Sequence, residues 1–139
     1  MLVIGADNAS HEGGQNVLCA EPQSGLWFGR TDDLWNLGKP RGWGGPWWED
    51  RVRGGAPSDP YLMTGFDKKC LHLAHTANRP VKFTIEVDFC GHGAWQKYAT
   101  LTVPARGYRH HEFADGFSAH WLRVTASAAC TATAQLHYT

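Results

Sequence analysis

The chain has 139 residues, 42% of them hydrophobic and 19% charged, with thirteen basic side chains against thirteen acidic ones. That length and composition describe one folded domain, able to bury a core without staples, and exclude a disordered tail. A formal net charge of zero argues against a general nucleic-acid or membrane-surface binder, since both partners call for an excess of cations.

The first residues, Met1-Leu-Val-Ile4, are too short for a signal-peptide core and lack a basic stretch before it. No apolar run approaches the roughly 20 residues needed to span a bilayer. The only glycosylation sequon is Asn8-Ala9-Ser10, a short pattern of low specificity. Residues 1–25 hold one expected strand, Asn16 to Ala20, between Gly-containing loops. The four cysteines, Cys19, Cys70, Cys90 and Cys130, contain no CxxC pair, so a structural zinc site of the usual spacing is not expected. Two disulfides or buried free thiols remain alternatives.

Residues 26–66 are dense in Gly, Pro and Trp. Five of the seven tryptophans fall here: Trp27, Trp35, Trp43, Trp47 and Trp48. A single helical turn is expected at 31–37, capped by Thr31 and ended by Gly38. Beyond it, Gly38, Pro40, Gly42, Gly44, Gly45 and Pro46 predict a long irregular loop rather than a strand. Long loops inside compact domains are usually functional or disordered, and this many aromatics argue against disorder. An exposed indole offers an apolar face that stacks on the C–H face of a sugar, while neighbouring charges bind hydroxyls. Trp43, Trp47, Trp48, Asp32, Asp33 and Arg41 are the expected ligand-binding set, with Glu49, Asp50 and Asp59 nearby. In the plainer alternative the rings fold inward as a small core for the loop. Lys39, Arg41, Arg51 and Arg53 among aromatics also suit single-stranded nucleic acid, but Glu49 and Asp50 dilute that patch.

Residues 67–139 read as a strand series. Leu71 to His75 is the first strand. Val81, Phe83, Ile85, Val87 and Phe89 then alternate with Lys82, Thr84, Glu86 and Asp88, a period of two that marks a strand with one buried face. Gly91-His92-Gly93 turns the chain into Trp95 to Val103. Pro104 and Arg106-Gly107 turn it into Tyr108 to Phe113, and Asp115-Gly116 into His120 to Thr125. Thr131 to Tyr138 completes the series. Turns at roughly ten-residue intervals predict an all-β antiparallel sandwich or jelly roll with little helix.

Strand parity places His75 with Leu71 and Leu73, His111 with Phe113, and His120 with Leu122 and Val124. If those faces point inward, His75, His111 and His120 form a candidate site for zinc, copper or iron near a barrel mouth. Cupin-type jelly rolls use such a mouth, and Val103-Pro-Ala-Arg-Gly107 is faintly similar to their turn, although the His-x-His pair is missing. The plainer alternative is a set of core histidines satisfied by backbone carbonyls. No Gly-x-Ser-x-Gly elbow is present. Asp32-Asp33 and Glu49-Asp50 suit glycosidase carboxylates only if their spatial separation is right.

Leu26-Trp-Phe-Gly-Arg-Thr-Asp-Asp-Leu-Trp35, Gly38-Lys-Pro40, Gly44-Gly-Pro-Trp47, Pro57-Ser-Asp-Pro-Tyr-Leu-Met-Thr-Gly65, Gly116-Phe-Ser-Ala-His-Trp121 and Cys130-Thr-Ala-Thr-Ala134 together resemble C-terminal β domains of uncharacterised bacterial multidomain proteins. In those proteins the domain follows a larger, often propeller-like part. The resemblance spans residues 26 to 139 and carries no activity of its own. It implies an accessory domain of an extracytoplasmic or secreted protein, for which a carbohydrate-active role is one reading. Here the stretch stands alone, as an excised domain or as a short protein. The expectation is therefore a carbohydrate-binding accessory domain whose partner is a poly- or oligosaccharide, with docking to a larger protein as a further option. The alternative is a small cupin-like metalloprotein acting on a polysaccharide as an oxidoreductase or hydrolase.

Overall fold

In the computed structural model the described residues are the backbone of 2–6, 17–21 and 24–29, together with Asp32 and residues 39–139. The chain divides into two compact units, Met1–Gly38 and Lys39–Thr139. The first holds a three-stranded antiparallel sheet in the order β1 (Leu2–Ala6), β3 (Ser24–Gly29), β2 (Val17–Glu21). The single strand expected before residue 25 is therefore joined by two others. The helical turn expected at 31–37 lies outside the described residues except for Asp32.

The second unit carries two four-stranded antiparallel sheets. One runs β5 (Tyr61–Leu62), β10 (Trp121–Ala126), β7 (Val81–Asp88), β8 (Gln96–Val103), and the other β4 (Gly42–Val52), β11 (Cys130–Tyr138), β6 (Lys69–His75), β9 (Tyr108–Glu112). None of the described elements is a helix. The fold is all-β, consistent with a sandwich.

Alternation builds the core. Val81, Phe83, Ile85 and Val87 on β7 and Leu122 and Val124 on β10 form one buried cluster with Leu71 and Leu73 on β6 and Ala134 and Leu136 on β11. The two inner faces thus interdigitate, while the alternate residues of each strand face out. At the end of β7 the alternation breaks. Phe89, expected inward, is 60% exposed, and Asp88 is buried instead. The reason is the tight turn that follows. One Asp88 carboxylate oxygen accepts the N–H groups of Cys90 and Gly91, and the other accepts that of Gly93. Burial disfavours the charged form, yet these three donors outweigh it, with His92 helping, and hold the carboxyl below its ordinary value.

The Gly- and Pro-rich stretch differs most from expectation. Residues 42–52 form β4, eleven residues paired along β11. Gly and Pro are tolerated because β4 is an edge strand and is bulged twice. Ala132 pairs with Asp50, Ala134 with Trp47 and Leu136 with Gly44, so each two-residue step on β11 spans three residues of β4. One extra residue falls at Gly45-Pro46, where the missing proline N–H costs no ladder bond. The other falls at Trp48-Glu49, where Glu49 takes a left-handed φ of 55° and its N–H donates to Thr133 Oγ1 at 3.1 Å.

Candidate functional site

The first bulge decides which indoles reach solvent. Strict alternation from Trp43 would put Trp47 on the same face and Trp48 on the other. One extra residue reverses that parity. Trp47 turns into the core at 9% exposure, while Trp43 and Trp48 stand outward at 70% and 63%. Trp47 therefore leaves the expected binding set. Its backbone carbonyl accepts the side-chain amide of the buried Gln135 at 2.8 Å. Gly45 makes the bulge fit: a Cβ there would lie 2.1 Å from the Ala134 carbonyl oxygen and 2.6 Å from Gln135 Cα. The two outward rings sit 6.4 Å apart between centroids, tilted by 58°, an open wedge rather than a closed stack.

The strip continues across the sheet. Trp43 pairs in register with His137 on β11, His72 on β6 faces His110 on β9, and Ala74 faces Tyr108. The side chains of His137, His72, Tyr108 and His110 form a connected set. His137 Nδ1 is 2.9 Å from His72 Nε2, and His72 Nδ1 is 2.7 Å from Tyr108 Oη. The Tyr108 ring stacks near His72 at 5.9 Å and near His110 at 6.1 Å. Burial, then the charges of His137 and His110, push His72 below its ordinary value. Four strands at about 4.8 Å spacing make the strip about 14 Å wide. Polar groups flank it. Glu49, Thr133 and Arg106 line a shallow depression at one end of the sheet, and Lys68, Cys70, Glu112 and Asp115 line another beside His137. No sequence signal singled out His72, His110, Tyr108 or His137. The outward parity of β6, β9 and β11 was legible, but which outward residues become neighbours depends on strand order.

Of the other expected ligand-binding residues, Arg41 is exposed beside β4. Asp32 is exposed but belongs to the first unit, and Asp33 lies outside the described residues. On the other sheet, Trp95 is occupied by the Arg123 guanidinium, 4.3 Å above its ring, so it is no counterpart of Trp43 or Trp48.

The histidine trio is not brought together. His75 points inward as parity predicts, but both ring nitrogens serve the backbone. The Ala77 N–H donates to Nδ1 at 3.1 Å, so Nε2 carries the hydrogen and donates to the Val103 carbonyl at 3.2 Å. His111 is half-buried beside Phe113, with Nε2 3.2 Å from Tyr98 Oη. Burial, then the charges of Arg109 and His110, hold it below its ordinary value. His120 is exposed. It precedes β10, its N–H donates to the Asp88 carbonyl at 2.9 Å, and its ring lies over Gly91. Among the described residues no three His, Cys, Asp or Glu side chains form a metal-binding group. The inward three-histidine centre is thus corrected: strand parity alone does not make side chains converge. Cys70, Cys90 and Cys130 are free thiols; burial raises Cys70, with Glu112 adding to it, and also raises Cys130.

No protein-family model matches the chain, and no curated protein or solved structure matches it significantly. Among the described residues no helix is long and apolar enough to cross a membrane.

Proposed function

We propose that the second unit is a carbohydrate-binding domain that holds an oligosaccharide across the outer face of the β4-β11-β6-β9 sheet. One observation carries this reading. Trp43 and Trp48, 70% and 63% exposed, share one solvent-facing surface, although Trp is ordinarily among the more buried residues. Water gains nothing from two bare indoles, whereas the C–H faces of sugar rings match them in polarity and shape. The wedge takes one ring. The His137, His72 and Tyr108 strip beyond it offers hydrogen-bonding edges and a further aromatic face for the next units. Glu49 and Arg106 at one end and Glu112 at the other suit hydroxyl groups. The same proposal includes an accessory role in an extracytoplasmic protein, as the sequence resemblance implies.

Binding isotherms against a panel of soluble oligosaccharides test the reading. Trp43→Ala and Trp48→Ala should each weaken the best ligand at least tenfold, about 1.4 kcal/mol, with the β-sheet circular dichroism unchanged. A protein that retains none of the panel at millimolar concentration, or two variants that bind as tightly as the parent, refutes it.

A further inference from the structure

On the outer face of the β4-β11-β6-β9 sheet, two imidazoles meet nitrogen to nitrogen. His72 Nε2 is 2.9 Å from His137 Nδ1. The rings are nearly perpendicular, at 85°, with centroids 4.8 Å apart. Register explains the meeting: His72 pairs with Gln135 and Cys70 with His137, so the two histidines are diagonal neighbours on adjacent strands. His72 is held from behind. Its other nitrogen, Nδ1, lies 2.7 Å from Tyr108 Oη, and the two rings are within 20° of parallel.

We propose that His72 Nε2 and His137 Nδ1 form an open two-imidazole site for a divalent transition-metal ion of right-angle geometry, copper(II) or nickel(II). The 2.9 Å contact is that of a hydrogen bond, so both rings must turn slightly to aim their nitrogens at a common ion, and the separation then suits a right-angle site. Two metal–nitrogen bonds of about 2.0 Å at 90° place their nitrogens about 2.8 Å apart, while a tetrahedral angle places them about 3.3 Å apart. The observed 2.9 Å fits the first. The ion takes the place of the proton now shared between the rings. Tyr108 Oη is the outer partner that fixes the tautomer and orientation of the His72 ligand. His110, the register partner of His72, and Glu112, the register partner of Cys70, flank the pair on β9. The remaining coordination positions face solvent and are open to water or to ligand oxygens. The ion site shares His72, His137 and Tyr108 with the strip beyond the indole wedge but not Trp43 or Trp48. The two tryptophan variants therefore test sugar binding without removing a metal ligand, and the metal titration tests the ion site without sugar.

Nickel(II) is the probe, since the free thiols do not reduce it. The metal-stripped 139-residue chain is titrated at pH 7 by calorimetry and by tryptophan fluorescence. Trp43 is the register partner of His137, so a paramagnetic ion bound there quenches it. One equivalent should bind and quench. His72→Ala and His137→Ala should each lower the affinity at least tenfold. Tyr108→Phe should lower it by about tenfold or more, the usual cost of losing an outer partner, and His75→Phe should leave it unchanged. His72→Gln, which keeps a polar group beside Tyr108, serves if the alanine variant loses its β-sheet circular dichroism. Fewer than about 0.1 equivalents bound, or affinity unchanged in both histidine variants, overturns the site. Zinc(II) binding more tightly than nickel(II) overturns the right-angle assignment.

Discussion

Replacing Gly45 by alanine tests the physical origin of the platform. The added Cβ would sit 2.1 Å from the Ala134 carbonyl oxygen, 2.6 Å from Gln135 Cα and 2.9 Å from the Ala134 carbonyl carbon. All three atoms belong to the backbone of β11, a strand flanked on both sides, so none can swing away. The edge strand must yield instead, lifting Gly44 to Trp47 from their partners. Withdrawing Trp47 from the core approaches the effect of truncating it, about 3–5 kcal/mol, and partial relaxation takes the lower end of that range. About 3 kcal/mol corresponds to a Tm lower by roughly 12–24 °C for a unit of this size. The control is Gly42→Ala. Its Cβ would meet only the Phe66 and Tyr138 rings at 3.9–4.0 Å, an ordinary contact, so its stability should stay within about 0.5 kcal/mol. Thermal and urea unfolding, followed by circular dichroism and tryptophan emission, read both variants. If Gly45→Ala costs no more than Gly42→Ala, the bulge is not held by close approach to β11, and the explanation for the outward turn of Trp48 fails.

Asp88→Asn addresses the turn after β7. The carboxyl is held below its ordinary value in the folded state. Its contribution is therefore complete above the unfolded value of about 3.9 and is lost as pH falls through the lower folded value. The variant should be less stable at pH 7 and should show a shallower loss of stability on acidification; matching acid profiles would count against the assignment. His75→Phe keeps the volume but leaves the Ala77 N–H and the Val103 carbonyl without partners. A loss of about 1–3 kcal/mol in urea unfolding is expected, and a neutral result would mean that the imidazole is not holding those two segments.

The strands of the second half were legible because their apolar residues recur every second position from Leu71 onward, and apart from Phe89 the alternating residues Val81 to Val87 lie in the core as that period predicts. Inward parity for His75 was legible in the same way. Alternation carries His120 inward, but its strand begins one residue later, at Trp121, and His120 sits at a bend with its N–H bonded to the Asp88 carbonyl. Phe89 was misplaced because a carboxylate that captures three turn amides ends the strand before it. Composition reads the Gly-Pro stretch as loop because it cannot show that a strand lies at an edge, where those residues do little harm.

Alternating hydrophobicity and evenly spaced turn residues by themselves determined that this protein is an all-β antiparallel fold, since period two permits one buried face and little else. Composition marked residues 26–66 as the place where aromatics gather, with five of the seven tryptophans between positions 27 and 48. Which indoles face water was decided only by the single-residue bulge at Gly45-Pro46 against β11, and which histidines touch was decided only by the strand order β4-β11-β6-β9. Both depend on pairings between segments distant along the chain, and a one-residue shift in either exchanges the two faces of a strand.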